Sequence, residues 1–364
     1  MQSKRFLVPL VLLLVLASCS RKAPKNLCTV DGHLDNRAFE NATVLMYDYV
    51  THELLDSAIV SHGAFSFSRA VTDTVTAYIL ANDDEAGARY SVCFLAPGTI
   101  YLDLENDSLS GSPANEAYNT FVNSPALRKM RRSYNDCYMA AAYRNDAAAA
   151  LAIDSLAMLF SEQTLLAHQA LFEANADNIV GGYAFDFICE RIQSLDTMED
   201  LLAGKSDAVR NYPGIQLKMQ RLRNLDRTAV GKPYVDFRGI VGDDTVTLGS
   251  LINGQVALVD FWASWCAPCR QEIEENLIRI HDTYSDKGLL VVGVCVNDSP
   301  ERILETVEDL GIPYTQMLDF EAAGAHIYGI DAIPHIMLID KDGTILAHDL
   351  RGSDIESAVK NALK

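Results

Sequence analysis

Two cysteines separated by two residues, Cys266-Ala267-Pro268-Cys269, stand where an apolar run, Val256 to Phe261, gives way to a stretch with helical spacing. Cysteines three apart at the start of a helix share a face and lie close enough to close a disulfide, so the pair can cycle between dithiol and disulfide. The two thiols are not equivalent. Cys266 lies nearer the helix N-terminus, where unpaired amides and the macrodipole favour a thiolate, and is expected to be the attacking nucleophile. Cys269, one turn deeper, is expected to resolve the mixed disulfide that the attack creates. Such a pair is also half a structural zinc site. That alternative needs four ligands, and no second cysteine pair or spaced histidine pair accompanies this one. The chemistry requires no cofactor.

Asp260 lies six residues before Cys266, inside the apolar run, where burial would raise its pKa by disfavouring the charged form. It is read as the proton acceptor for Cys269 during resolution; the alternative is a strand-end aspartate bonded to backbone or water. Trp262 and Trp265 flank the site, Trp265 as part of a docking surface and Trp262 as packing. Arg270 either favours the nearby thiolate or is an ordinary exposed arginine. Glu272 follows one turn after Cys269, where a negative charge early in a helix is stabilising in itself.

The run from Phe261 through Trp262, Trp265, Cys266 and Cys269 to Arg270 resembles the thioredoxin superfamily, specifically its TlpA and ResA-like branch of membrane-tethered periplasmic oxidoreductases. The resemblance covers residues 230 to 364. It implies that Asp260 is the buried acid of the fold and that Glu272 matches an acid carried beside the active site in ResA-like proteins. It also implies that Ile333-Pro334 is the cis-proline facing the disulfide, with the backbone of Ile333 turned toward an extended substrate peptide. His335 departs from the small hydroxyl residue common after this proline, and is either a tuning group or a partly buried structural histidine.

The elements that must position these residues alternate. Val256 to Phe261 reads as a buried strand, Arg270 to Tyr284 as a helix with Ile273, Leu277 and Ile280 on one face, and Leu289 to Val296 as a second continuous strand. Ser299-Pro300 opens the next helix and Gly311 ends it. Tyr314 to Leu318, His335 to Asp340 and Thr344 to Ala347 supply further strands, the last two as a hairpin about Asp342-Gly343, before a helix from Ser353 to Leu363. This order predicts an α/β layer fold over 229–364, which the resemblance implies is the thioredoxin fold.

Two regions precede it. Residues 28–112 alternate apolar and polar positions between turn residues, which reads as a small all-β sandwich. Residues 113–228 are rich in Ala, Leu, Glu and Gln and read as a helical region, with breaks expected at Gly181-Gly182 and Pro213-Gly214. The sandwich resembles the domain of unknown function found before thioredoxin domains in many envelope lipoproteins, which commonly ends as Ser110-Gly111-Ser112, Asn115, Tyr118 and Phe121 do here. Neither region displays chemistry of its own.

At the start, Lys4 and Arg5, the apolar run Phe6 to Ala17 and Leu16-Ala17-Ser18-Cys19 resemble a lipoprotein signal over 1–18, with Cys19 the lipidated residue of a linker over 19–27. The apolar run is shorter than the roughly 18 to 20 residues a spanning helix needs. An oxidising compartment follows, in which Cys28, Cys93, Cys137, Cys189 and Cys295 are an odd set whose pairing the sequence leaves open. A formal net charge of −19 argues against nucleic acid as a partner. The expected function is disulfide exchange with protein thiols or disulfides, as a reductant resupplied by a membrane electron donor, from a lipid anchor on the periplasm-facing side of a bacterial envelope. Cytochrome maturation is one role the resemblance allows. The rival is a non-catalytic envelope lipoprotein that binds a ligand or partner through its N-terminal regions.

Overall fold

The computed structural model describes residues 26–83, 87–144, 146–319 and 321–364; the signal segment and Cys19 lie outside them. The chain forms two compact units, one ending at Thr164 and the other covering 165–364, so the helical region is divided between them.

Among the described residues of the first unit, eight strands make two four-stranded sheets. These are β1 (Leu27–His33), β2 (Thr43–Asp48), β3 (Leu54–Ile59), β4 (Ala64–Ala70), β5 (Val75–Asp83), β6 (Gly87–Leu95), β7 (Gly98–Asp103) and β8 (Ser108–Ser110). One sheet runs β4-β1-β7-β8 and the other β3-β2-β5-β6. Alternation is visible in β4, where Phe65 and Phe67 are buried while Ala64, Ser66 and Ser68 face solvent. Gly32 is required opposite Phe65, because a Cβ there would lie 2.1 Å from that ring. Ser112 caps the helix Pro113–Thr120, whose Asn115 accepts from the Phe94 amide at 2.8 Å and donates to the Phe94 carbonyl at 3.1 Å, locking the helix to β6. Helices Pro125–Arg144 and Ala147–Ala174 follow. The second of these is long and apolar enough to cross a membrane by length and composition.

The second unit is built on a seven-stranded sheet of order β10-β9-β13-β12-β11-β14-β15. Its strands are β9 (Arg238–Val241), β10 (Asp244–Thr247), β11 (Val256–Trp262), β12 (Leu289–Val296), β13 (Thr315–Asp319), β14 (His335–Ile339) and β15 (Ile345–Ala347). Central β11 is buried at every residue, parallel to β12 and antiparallel to β14. Its even-numbered residues Leu258 and Trp262 pack with Ile273, Leu277 and Ile280 of the following helix and with Ile355 of the last one. The odd-numbered Val259 and Phe261 pack on the other face with Leu248, Ile252 and Tyr328. The hairpin β9–β10 and the short helices Leu248–Ile252 and Ala323–Ile327 add to the elements expected from the sequence.

One expected break is corrected. Gly181 and Gly182 lie within the helix Ile179–Cys189, which Asn178 caps. They are glycines for close packing, since a Cβ on Gly181 would meet the Asn175 carbonyl at 2.0 Å and one on Gly182 the Tyr212 ring at 2.8 Å. Pro213 does open a helix, Pro213–Arg227. Cys28, Cys93, Cys137, Cys189 and Cys295 are free thiols.

Candidate active site

Cys266 and Cys269 are joined as a disulfide with Cα atoms 5.3 Å apart, at the junction of β11 and the helix Ala267–Glu272. Cys266 is itself the N-cap: its Sγ accepts the Cys269 amide at 3.2 Å, and Pro268 in the first turn has no amide that needs a partner. The sulfur that caps a helix sits in the field of its amides, which favours a thiolate on Cys266 once the disulfide is reduced. Cys266 keeps 5% of its surface exposed and Cys269 none, so of the two residues only the first meets solvent. The helix continues through a π turn, Ile273–Leu277, into Ile278–Tyr284.

Asp260 lies on the face of β11 that carries this helix, between Leu258 and Trp262, with 1% of its surface exposed. Neither carboxylate oxygen has a hydrogen-bond partner. Burial pushes its pKa up to about 8, the Arg351 guanidinium opposes the rise and the Glu272 carboxylate adds to it. Across the sheet Asp260 stands opposite Gly293 in β12 and Ile336 in β14. Gly293 leaves room for Gln316, whose Oε1 accepts from the indole N–H of buried Trp262 at 2.9 Å.

Glu272 is bonded rather than free: its carboxylate accepts from the Gly352 amide at 3.1 Å and from the Asn276 amide group at 2.9 Å. The loop 349–352 meets the site at two more points. Leu350 donates its amide to the carbonyl of Ile336 at 3.0 Å, and the Arg351 guanidinium donates to the carbonyl of Pro334 and pairs with Asp349 at 2.9 Å. The Ile333-Pro334 bond is cis. His335, next in the chain, is largely buried; its Nε2 lies 3.2 Å from Nδ1 of His348, whose Nε2–H donates to the Thr228 carbonyl. Burial first, and His348 second, push the His335 pKa down to about 4.

Trp265 is 57% exposed, its indole N–H held by the Asn297 carbonyl at 3.0 Å. With Val296, Asn297, Ala325, Ile330, Asp331, Ala332 and Ile333 it lines a cavity of about 310 Å³ beside the disulfide-bearing turn. The fold thus gathers Cys266, Cys269, Asp260, Glu272, Trp265, Ile333 and Pro334 at one end of the sheet. Arg270 is exposed and Trp262 is packed. Sequence reasoning missed Arg351, Gln316 and Asn297. Arg351 and Asn297 act through loop geometry and Gln316 through a cross-strand contact, so no local spacing marks them.

A family model described as Redoxin matches residues 229–363, and one described as a domain of unknown function, DUF4369, matches residues 28–118. Among curated proteins, the thiol:disulfide interchange protein HelX of Rhodobacter capsulatus is 32% identical over 31% of this chain and 62% of its own length. The thiol-disulfide oxidoreductase ResA of Bacillus thuringiensis is 23% identical over 31% of this chain and 64% of its own. The chain therefore spans a little under two thirds of these two relatives. A thioredoxin domain of a thiol-disulfide oxidoreductase from Bacteroides vulgatus, solved by crystallography, aligns with 37% of this chain and 99% of that one at 28% identity and a TM-score of 0.35. The thiol:disulfide interchange protein DsbE of Allochromatium vinosum is 36% identical over 37% of this chain and 72% of its own length. With the motif, the sheet order and that similarity together, the chain belongs to the TlpA/ResA-like family of thiol-disulfide oxidoreductases.

Proposed function

We propose that this protein exchanges disulfides with protein thiols through Cys266 and Cys269, acting as a reductant. The observation that carries the reading is the placement of Cys266 Sγ as the helix cap, with the unpartnered acid Asp260 buried on the same face of β11. In the reduced protein the Cys266 thiolate attacks one sulfur of a substrate disulfide, forming a mixed disulfide and releasing the other sulfur as a thiolate. Cys269 then gives its proton to Asp260 and attacks Cys266 Sγ. That bond closes the Cys266–Cys269 disulfide, the substrate's second sulfur leaves as a thiolate, and two electrons have passed to the substrate. Trp265, Ile333 and Pro334 border the cavity or turn where a peptide would lie, and Glu272 positions the loop that abuts Pro334.

A lipid on Cys19 would hold the protein to the periplasm-facing side of a bacterial envelope, where a membrane electron donor returns the pair to its dithiol form. The lipobox-like Leu16-Ala17-Ser18-Cys19 supports this placement. The test is reduction of insulin disulfides by the full chain, wild type and Cys266→Ser, with a redox titration of the pair alongside. Loss of activity in the variant is expected, with a potential on the reducing side of the compartment. Equal activity in both proteins would sink the enzymatic reading, and a strongly oxidising potential would reverse the direction.

A further inference from the structure

The wall of the Trp265–Ile333 cavity nearest the Pro334 turn is held from outside the Redoxin-matched region. Helix Pro213–Arg227 buries Ile215, Met219 and Leu222 and turns Arg221 and Asn224 toward segment 326–331. Arg221 Nε donates to the Gly329 carbonyl at 3.0 Å, its Nη2 pairs with Asp331 at 2.6 Å, and Asn224 donates to the His326 carbonyl at 2.7 Å. Gly329 has φ +64 and lies so close beneath Leu225 that a Cβ would meet its Cγ at 2.7 Å. Three polar contacts and one close approach therefore fix the backbone that leads, through Ile330, Asp331 and Ala332, to Ile333. Of the residues lining that cavity, Asp331 alone carries a charge.

We propose that Arg221 is a positioning residue for substrate docking, fixing the chain at Gly329, just before the cavity wall, and at Asp331 within it, and cancelling the Asp331 charge beside an extended peptide that carries the target disulfide. The partner chemistry that fits the largely apolar lining is a segment with apolar residues next to its cysteine, acidic ones being tolerated because the Asp331 charge is cancelled. This rests on the reading of Cys266 and Cys269 as the redox centre. The pair is partly exposed, so its contribution to stability is small and its effect falls on docking. With Arg221 in place Asp331 is neutralised; without it, the cavity edge carries an unpaired carboxylate that repels acidic flanks and attracts basic ones.

The experiment compares full-chain wild type, Arg221→Ala, Arg221→Lys and the double variant Arg221→Ala/Asp331→Asn. The probes are hydroxyethyl disulfide, which is small and uncharged, and two disulfide-bonded peptides that differ only in glutamate or lysine beside the cysteine. In Arg221→Ala, KM for the glutamate peptide should rise roughly fivefold with kcat kept, and the preference should turn toward the lysine peptide. Turnover of hydroxyethyl disulfide should not change. Arg221→Lys should return KM for the glutamate peptide toward the wild-type value, and Arg221→Ala/Asp331→Asn should abolish the preference for the lysine peptide. If Arg221→Ala matches wild type on both peptides, the proposal is wrong while the redox centre stands. If Arg221→Ala loses hydroxyethyl disulfide turnover as well, Arg221 supports the centre or the fold rather than docking. If wild type reduces none of the three, the reading of the redox centre fails first.

Discussion

The backbone N–H of Gly352 donates to both oxygens of the Glu272 carboxylate, at 3.1 and 3.3 Å. This bond ties the loop after β15 to the helix that Cys266 caps, and it places Arg351, one residue earlier, against the carbonyl of Pro334. Asp260 thereby has a fixed cation and a fixed anion as neighbours, the first lowering its pKa and the second raising it.

Opposite charges acting on one acid predict opposite pH shifts. If Asp260 accepts the Cys269 proton, resolution requires the ionised acid and its rate rises with pH through the Asp260 pKa. Arg351→Gln removes the cation and should move that limb to higher pH; Glu272→Gln removes the anion and should move it to lower pH, each by about one unit or less. Release of thionitrobenzoate from a Cys266 adduct, followed by stopped flow across pH 5 to 10, reads the step directly. Shifts of the same sign in both variants would mean that the loop's geometry, not its charge, is being sensed.

Asp260→Asn separates the acid's two consequences. Resolution at neutral pH should slow by roughly a hundredfold, toward the low end of what a general base contributes. Stability should move the other way. The folded protein holds the Asp260 proton up to about pH 8, whereas the unfolded chain releases it near the ordinary carboxylate value, so wild-type stability falls as pH rises through that interval. The asparagine variant has no such loss. Denaturant unfolding of the oxidised proteins should show it more stable at pH 8, by up to about 5 kcal/mol, with the advantage gone below pH 4. A constant difference at all pH values would mean that Asp260 titrates normally.

How much of this was legible in the sequence differs between the two sides of the site. The cysteines, Asp260 and β11 were readable because one chain segment carries them all: an apolar run, an acid inside it and a capped helix after it. Strands β12 and β14 were readable for the same reason, as continuous apolar runs. Arg351, by contrast, looks like any exposed basic residue before a glycine, and only the pairing of β14 with β11 brings its loop beside Asp260. Hairpin β9–β10 escaped because its four-residue strands are too short for a period to show. The double glycine at 181–182 misled because a glycine that ends a helix and one that lets another segment approach are written alike.

His335 supplies a pH effect of opposite sense to that of Asp260. Its folded pKa of about 4 lies below the ordinary histidine value near 6.5, so between those values the unfolded chain takes a proton that the folded chain refuses. Stability at this group is therefore full above pH 6.5 and falls as pH drops toward 4. Replacing His335 by asparagine should cost about 1 kcal/mol at pH 7 through the lost bond to His348. It should also remove as much as roughly 3 kcal/mol of the acid-side decline. Parallel stability curves for wild type and variant from pH 7 to 4 would show that His335 protonates freely in the folded state.

The two cysteines should behave unequally as traps. Attack through Cys266 leaves a mixed disulfide that only a second thiol within reach can clear, so Cys269→Ala keeps the first step and deletes the second. Cys266→Ala leaves Cys269, which is wholly buried beneath the turn and cannot meet a sulfur on anything as large as a protein. The capping geometry points the same way, because the Cys266 sulfur receives an amide hydrogen bond that favours its thiolate, and this bond comes from Cys269's own backbone. Cys269→Ala keeps that backbone donor, so the nucleophile's environment is retained while the resolving sulfur is lost. Affinity purification from envelope extracts, followed by reducing gels and mass spectrometry, should recover disulfide-linked partners on Cys269→Ala at least about tenfold above Cys266→Ala. Equal capture by both variants would overturn the assignment of the nucleophile. Capture by neither, with wild type still reducing insulin, would leave the chemistry intact and remove stable protein complexes from the proposal.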